Sequence, residues 1–417
     1  MRICVLGAGV VGVSTAFALA RLGHDVTVID RHRDAAGGAS HANGAQLSYS
    51  YVDPLAGPAI LKSLPRYFLG MDRSVRMGIR SSSGYLSWGL KFLGNCTPGQ
   101  YRANLRERAA LSRQSAMVFN NLVESLPTGA LKPSASGKFV LVDTEKQLEN
   151  EKARQPVYSG LGLDRKVVNR TEALTLSPVL AGIMQRFCGG VYSRTDLALD
   201  PAAYCAALVS GAQNFGTTFM FGEAVTGFAV TGGQVTGVRT ANGCLPFDRV
   251  IVCAGNGTPE LLVPLGVPVP VYPVRGYSFT LPSGEKALSV SVTSLRHKIV
   301  YADLGDTVRV AGFFDINRAT STIASRLREL LNLARRIWPD AADYDHPCSE
   351  WTGCRPMTPS GVPVTGESPV KNLYINAGHG SLGYTFAAGS AARIAAMIGP
   401  ANERGIPDDG EPEYAAQ

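Results

Sequence analysis

The chain has 417 residues, 45% of them hydrophobic and 18% charged, and a net charge of +7. Its length predicts two or three folded units, its composition excludes a disordered chain, and a basic surplus spread without any lysine–arginine block excludes a nucleic-acid binder. Eight scattered cysteines with no CxxC pair exclude a disulfide framework and a zinc site, so no metal is expected. No signal sequence and no run of roughly 18 apolar residues stand in the chain, which predicts a cytoplasmic protein.

Ile3-Cys4-Val5-Leu6 predicts a buried strand that runs into Gly7-Ala8-Gly9-Val10-Val11-Gly12 and then a helix with small residues at Ser14, Ala16, Ala18 and Ala20. After Gly23-His24 a second apolar strand, Val26 to Ile29, ends on Asp30. Gly7 permits the tight turn, Gly9 lets the backbone approach a pyrophosphate, and Gly12 lets the helix pack on the sheet. The helix N-terminus offers free N–H groups, at Val10 and Val11, and a positive dipole to phosphates. Asp30, 18 positions after Gly12, is placed to accept from ribose hydroxyls. Strand, turn, helix and acid together predict a bound dinucleotide.

Gly37 to Gln46 is a small polar loop after the second strand, where open α/β sheets hold their ligands. Arg66 to Glu124 is mostly helical, with Leu86, Leu90, Leu93, Leu105, Leu111, Val118 and Leu122 at helix-like spacing. Lys138 to Val142 reads as a strand, and Asp200-Pro201 as the N-cap and first position of a helix. Thr217 to Val225, Val235 to Thr240 and Arg249 to Cys253 read as three strands, the last entering the glycine turn Ala254-Gly255-Asn256-Gly257. The proline-rich Val263 to Pro273 marks a crossing between units. Thr280 to Phe314 is strand-rich, Ser325 to Trp338 is a helix, and Tyr374 to Asn376 is a last strand before a glycine loop and a helix ending at Ile398. The composition after Ile406 predicts a frayed tail.

Three segments carry a family resemblance. The N-terminal unit resembles the FAD fingerprint of glutathione-reductase-type flavoproteins. Trp351 to Gly361, with Gly353-Cys354-Arg355-Pro356-Met357-Thr358-Pro359, is similar to the G-x-R-P-x-T-P signature of D-amino-acid oxidase-like amine oxidoreductases. Asn376 to Thr385 resembles that family's C-terminal flavin-facing loop, and the overall pattern most resembles the bacterial D-amino-acid dehydrogenases within it.

The resemblance implies an α/β fold with a discontinuous, Rossmann-like FAD domain (1–65, 195–262 and 350–417) and a substrate domain of mixed sheet plus helices (66–194 and 263–349). It implies noncovalent FAD held by Gly7, Gly9, Val10, Val11, Gly12, Asp30, Arg31, Ser40, Asn43, Gly44, Gln46, Val225, Ala254, Gly255, Gly378, Gly380, Ser381, Leu382, Gly383, Tyr384 and Thr385. It also implies oxidation of a D-amino acid, D-proline or a hydroxyproline included, by hydride transfer from Cα to flavin N5. A quinone or another respiratory acceptor would take the electrons. The alternatives are a glycine- or sarcosine-type oxidase that forms peroxide, and a non-catalytic FAD-binding subunit.

Arg355 is the implied clamp for the substrate carboxylate, because a guanidinium donates two parallel hydrogen bonds to it. Tyr301 is a further catalytic-site candidate, one of four tyrosines (with Tyr51, Tyr85 and Tyr277) that could either close the pocket or pack the core. His379 reads equally as a flavin contact and as a structural histidine, and is not assigned as a base. Cys354 departs from the family's apolar residue before the arginine; it reads as a conservative core replacement, with covalent attachment of FAD, as in related sarcosine oxidases, the alternative. Leu55 to Leu93 mixes apolar and basic residues, which suits either a peripheral contact with a membrane surface or the packing of a core or lid.

Overall fold

The computed structural model describes residues 1–78, 83–127, 129, 131, 133–134, 137–285, 288–316 and 320–401; the expected tail after Ile406 lies outside them. Two large sheets organise the chain. The smaller has six strands in the order Val364–Glu367, Leu373–Ala377, Arg249–Val252, Arg2–Leu6, Asp25–Asp30 and Thr218–Phe221. All neighbours run parallel except the antiparallel edge strand Val364–Glu367. Its central strands are continuous apolar runs, as burial on both faces requires.

One face is covered by helices Val10–Arg21, Pro98–Ser125, Pro201–Asn214 and Gly383–Ile398, whose Phe17, Phe119, Leu122, Tyr204, Leu208 and Ile394 share one core. Their backbones come close: a Cβ on Gly389 would lie 2.9 Å from the Ser115 nitrogen. The other face carries a three-stranded antiparallel sheet, Val225–Thr231, Gln234–Thr240 and Gly243–Pro246, whose Phe228, Val235 and Val238 pack on Leu6, Val250 and Val252.

The larger sheet has nine strands and mixed pairing. Its path runs Ser349–Met357, Tyr272–Pro282, Thr307–Ile316, Ile299–Asp303, Ser291–Ser294, Lys138–Val142, Gly189–Ser193 and Lys166–Asn169, with Val75–Met77 paired to Thr307–Ile316. Its far face packs Tyr277, Phe279, Tyr301 and Phe313 against helix Ile323–Ile337 and the buried Trp338. Its near face meets loops from the carboxyl edge of the six-stranded sheet, as where Asn256 Nδ2 donates to the Cys354 carbonyl at 2.7 Å, and this junction is the cleft.

Asp200 caps helix Pro201–Asn214 as expected, its Oδ1 accepting from the Ala202 and Ala203 N–H groups at 2.9 and 3.1 Å. Other elements differ from expectation. The single strand expected over Thr217 to Val225 is two strands in different sheets, broken at Gly222, whose φ is +75°. Ser349–Met357 pairs in the larger sheet, so the chain returns to the smaller one at Val364 and not at 350. Helix Pro98–Ser125, expected with the substrate domain, packs with the helices of the smaller sheet. In helix Ser83–Gly94 the buried residues are Trp88 and Phe92, while Leu86, Leu90 and Leu93 face solvent.

Candidate active site

Because the inner strands of the smaller sheet are parallel, their carboxyl ends line one edge. Gly7, Asp30, Ala254 and Gly378 therefore lie along that edge, each at or just beyond a strand end. Gly7 has φ +106°, and a Cβ there would come within 2.6 Å of the Cys253 carbonyl oxygen. A Cβ on Gly12 would fall 1.7 Å from the Gly7 oxygen, so no other residue permits this strand-to-helix turn. Asp30 closes it: Oδ2 accepts from the Ala8 N–H at 2.6 Å, and Oδ1 lies 2.8 Å from both the N–H and the Nδ1 of His32. At the helix N-terminus the Val10 N–H donates to Ser40 Oγ at 3.0 Å. Arg31 is exposed, and Val225 opens the three-stranded sheet beyond Gly222 and Glu223.

The loop expected to wrap a ligand is stitched to the near face of the larger sheet. Ser278 Oγ donates to the Ala42 carbonyl at 2.5 Å and Arg309 Nη1 to the Asn43 carbonyl at 3.0 Å. Thr293 Oγ1 donates to Gln46 Oε1 at 3.3 Å, and Lys138 Nζ to Ser48 Oγ at 2.7 Å. A Cβ on Gly44 would touch Val300 Cγ2 at 3.1 Å, so glycine sets how closely the loop lies on the strand.

On the same face Arg355 rests on a floor made by a missing side chain. A Cβ on Gly276 would sit 2.5 Å from both terminal nitrogens of its guanidinium, and one on Gly353 would overlap the Trp351 ring. The two glycines are cross-strand partners. Arg355 Nη1 donates to the Phe313 carbonyl at 3.0 Å, and its guanidinium carbon stands 4.4 Å from the centre of the Phe314 ring. Phe313 has φ +66°, a strained conformation for a bulky residue, beside a register shift between Arg275 and Tyr277. Such strain costs of order 1–3 kcal/mol and concentrates at functional sites. Here it turns one carbonyl toward Arg355 while the Phe313 ring stays in the far-face core.

No carboxylate among the described residues forms an ion pair with Arg355, and the rest of its five donors meet no protein acceptor there. Burial lowers its pKa to about 10, which leaves it charged at neutral pH. Beside it stands an apolar wall of Val274, Trp88, Phe92 and Met357, with Tyr85 and Tyr272 packed on it at a ring separation of 5.5 Å. Trp88 Nε1 fixes the covering helix by donating to the Met357 carbonyl at 2.9 Å.

The C-terminal loop closes the cleft from the other side. Gly378 and Gly380 have φ of +80° and +60°, and side chains there would strike Thr358 and Met357. Gly380–Leu382 forms a short 3-10 turn, with Ser381 exposed, that leads into helix Gly383–Ile398. Thr385 Oγ1 accepts from the Ser48 N–H at 3.0 Å, joining this helix to the stitched loop.

Two of the four tyrosines and His379 take the packing alternative. Tyr301 points to the far face, where its hydroxyl donates to the Ala334 carbonyl at 3.0 Å and its ring meets Trp338 edge-on. Along that strand Val300 and Ala302 face the loop, and alternation sends Tyr301 away. Tyr277 likewise faces away and donates to Asp315. His379 is buried, with Nε2 2.9 Å from Ser390 Oγ, and burial lowers its pKa to about 3; it is a neutral pin between the loop and the last helix. Residues the sequence reading passed over are Lys138, Asp196, Gly276, Ser278 and Arg309. A glycine inside a strand pattern marks a close approach and was the signal for Gly276.

The cleft fits a dinucleotide on its own geometry. A Cβ on Gly9 would lie 3.1 Å from Ser40 Oγ, so glycine lets Ser40 close on the helix N-terminus and take the Val10 N–H. Polar atoms on its segments are buried without a partner among the described residues: Glu223 Oε1 beyond Asp30, Asn256 Oδ1 on the second glycine turn and the Tyr384 hydroxyl at the last helix. No group of three or more metal-ligating side chains occurs among the described residues.

A family model described as FAD dependent oxidoreductase matches residues 2–397. D-amino acid dehydrogenase 2 of Ralstonia nicotianae is 36% identical over 409 residues, covering 95% of this chain and 96% of that protein. D-amino acid dehydrogenase of Dechloromonas aromatica is 36% identical over 406 residues, covering 95% and 97%. Among solved structures, glycine oxidase from Geobacillus kaustophilus superposes with a TM-score of 0.72 at 20% identity, covering 95% of this chain and 94% of that one.

Proposed function

The chain belongs to the family of FAD-dependent oxidoreductases, and from that membership we propose that it oxidises free D-amino acids at the Cα–N bond. FAD held by these residues would supply the hydride-accepting chemistry, and a quinone or another respiratory acceptor would take the two electrons. Noncovalent retention is expected, with the glycine turn, Ser40 and the helix N-terminus at the pyrophosphate and Asp30 at the ribose. The stitched loop and Gly378 to Thr385 would border the ring.

The observation that carries the reading is Arg355, a partly buried cation with open donors and no carboxylate paired to it among the described residues. A substrate carboxylate satisfies it, with the side chain directed to the wall of Phe314, Val274 and Trp88. That wall suits apolar and cyclic substrates, D-proline among them. Phe313 holds the guanidinium by its carbonyl, and Gly276 sets its height above the sheet. The amine enters unprotonated, so hydride departure needs no protein base, and neutral His379 is not asked to act as one. Water hydrolyses the imino acid released from a primary amino acid to a 2-oxo acid and ammonia, whereas the cyclic imine from D-proline keeps its nitrogen.

The test is anaerobic turnover of D- and L-amino-acid panels with a dye acceptor, run beside peroxide formation in air. Dye reduction by D-amino acids with little peroxide supports the reading. Peroxide at comparable rates identifies an oxidase of the glycine or sarcosine type, and no turnover with any amino acid overturns both.

An acceptor dissolved in a bilayer would be met at the membrane surface. No helix among the described residues is long and apolar enough to cross one. Leu86, Leu90 and Leu93 are exposed on one helix beside Lys91, and Phe68, Leu69 and Met71 are exposed nearby in sequence beside Arg66. Apolar side chains with basic flanks suit an anionic lipid surface. Sedimentation with anionic vesicles at low and moderate salt tests this; protein that stays in the supernatant under both conditions refutes it.

A further inference from the structure

Asp196 to Asp200 crosses the cleft with an acid at each end. Its middle, Leu197–Ala198, pairs antiparallel with Gln46–Leu47 of the stitched loop. At one end Asp200 divides its oxygens, Oδ1 capping a helix of the smaller sheet and Oδ2 accepting Arg309 Nη2 of the larger at 2.7 Å. At the other end Asp196 has no exposed surface. Its Oδ1 accepts the Tyr49 and Ser50 N–H groups at 2.9 and 3.1 Å, and its Oδ2 lies 3.3 Å from Ser48 Oγ. Ser48 Oγ receives Lys138 Nζ, and the Ser48 N–H donates to Thr385 Oγ1. One buried cation and one buried anion therefore meet the larger sheet, the stitched loop and the last helix at a single serine.

The arrangement is not explained by stability. Burial pushes the Lys138 ammonium down to about 8 and the Asp196 carboxyl up to about 6, so the fold disfavours each charge relative to water. A buried pair of this kind is commonly no better for folding than apolar groups of similar volume. Local choices that oppose the fold's own stability are expected at functional positions.

We propose that Lys138 and Asp196 are positioning residues for the cofactor: as opposite charges bridged by the Ser48 hydroxyl they hold Leu47 to Ser50 against Thr385 and fix the width of the cleft that grips FAD. The proposal rests on the placement of FAD in this cleft. The pair is intact only while Asp196 is ionised and Lys138 protonated, so FAD affinity is highest between about pH 6 and pH 8 and falls on either side. The other groups facing the pair are Tyr49, whose pKa is raised well above its ordinary value, Ser193 and Ser291 beside Lys138 in the sheet, and the Arg309–Asp200 pair at the far end of the segment. Asp30 and His32, 2.8 Å apart, stand away from the pair at the end of the second strand of the smaller sheet.

The experiment is titration of the apoprotein with FAD, followed by flavin fluorescence from pH 5 to pH 9, with melting of each apoprotein as a check on folding. The wild type should lose affinity at both ends of the range. Asp196→Asn keeps an acceptor for the two N–H groups and should lose the acid limb. Lys138→Arg should carry the alkaline limb beyond the range, and Lys138→Met should weaken FAD by about tenfold or more at pH 7, roughly 1.4 kcal/mol. A flat wild-type profile overturns the proposal, as does an alkaline limb that persists in Lys138→Arg; the wild-type profile decides the matter even where a variant fails to fold. Gly9→Val separates this from the cofactor's placement. If Gly9→Val binds FAD like the wild type, the placement itself fails. If it loses FAD while the Lys138 and Asp196 variants keep the wild-type profile, this proposal alone fails.

Discussion

The two faces of the nine-stranded sheet are built from alternate residues of the same strands, yet they obey different rules. The far face is a conventional core: Tyr277, Phe279, Tyr301 and Phe313 interlock with Leu327, Leu330 and Trp338. Its polar atoms are satisfied locally, as when the Tyr301 hydroxyl finds the Ala334 carbonyl. The near face carries glycine at Gly276 and Gly353, cations at Lys138, Arg309 and Arg355, and hydroxyls at Ser278 and Thr293. Filling governs the far face, and placement governs the near one. A single strand can serve both because side chains alternate, so a neighbour of a site residue is often a core residue with no part in the chemistry.

Substitutions on the two faces should therefore separate binding from stability. Arg355→Ala is expected to lower kcat/KM by about two to three decades or more, since leaving a buried charge-assisted pair half made costs roughly 3–5 kcal/mol. The melting temperature should hardly move, and near-normal kinetics would remove Arg355 from the site. Trp338→Ala should do the opposite, lowering stability by about 3–5 kcal/mol through an unfilled core. Its folded fraction should keep the wild-type KM; a large KM change would mean that the two faces are coupled.

Gly276→Ala sharpens the contrast at one carbon. The new methyl would meet the Arg355 guanidinium, so KM should rise by about tenfold or more with little change in melting, a misplacement effect. If KM is unchanged, the arginine does not need its glycine floor. The smallest effect belongs to Tyr301→Phe, which deletes one hydrogen bond worth about 1 kcal/mol. Chemical denaturation should detect that loss while turnover stays as it was. Impaired turnover would return Tyr301 to the candidates for catalysis.

The glycine-turn edge of the smaller sheet was the most legible part of the sequence because its determinants are local. Gly7, Gly9, Gly12 and Asp30 lie within one strand–turn–helix–strand unit whose spacing exposes the turn, while the bond from the Ala8 N–H to Asp30 emerged only in the fold. Asp200-Pro201 was readable for the same reason, as a helix start written in adjacent residues. Tyr301 was not, because Val300, Tyr301 and Ala302 are all apolar and give no polar alternation to reveal which one faces the cleft. Leu86, Leu90 and Leu93 have helical spacing, but the cover over Arg355 selected Trp88 and Phe92 from the same helix, a choice made by a partner distant in sequence. Lys138 looked like the edge of an apolar strand, and only the fold brings it to Ser48 and Asp196.

The smaller sheet has a consequence for how the protein is made. Arg249–Val252 lies between the N-terminal strand and Leu373–Ala377, and the helix Gly383–Ile398 completes the layer over the first helix. During synthesis the first strand and its glycine turn leave the ribosome hundreds of residues before their last structural neighbours. Contacts so distant along the chain form slowly, because the entropy of closing a long loop is lost before the contact repays it. The N-terminal unit must therefore wait with an open strand edge, exposed to aggregation until the final helix arrives. FAD bound by the completed edge would draw the chain toward the finished state by mass action, so the yield of folded protein in cells should follow the flavin supply.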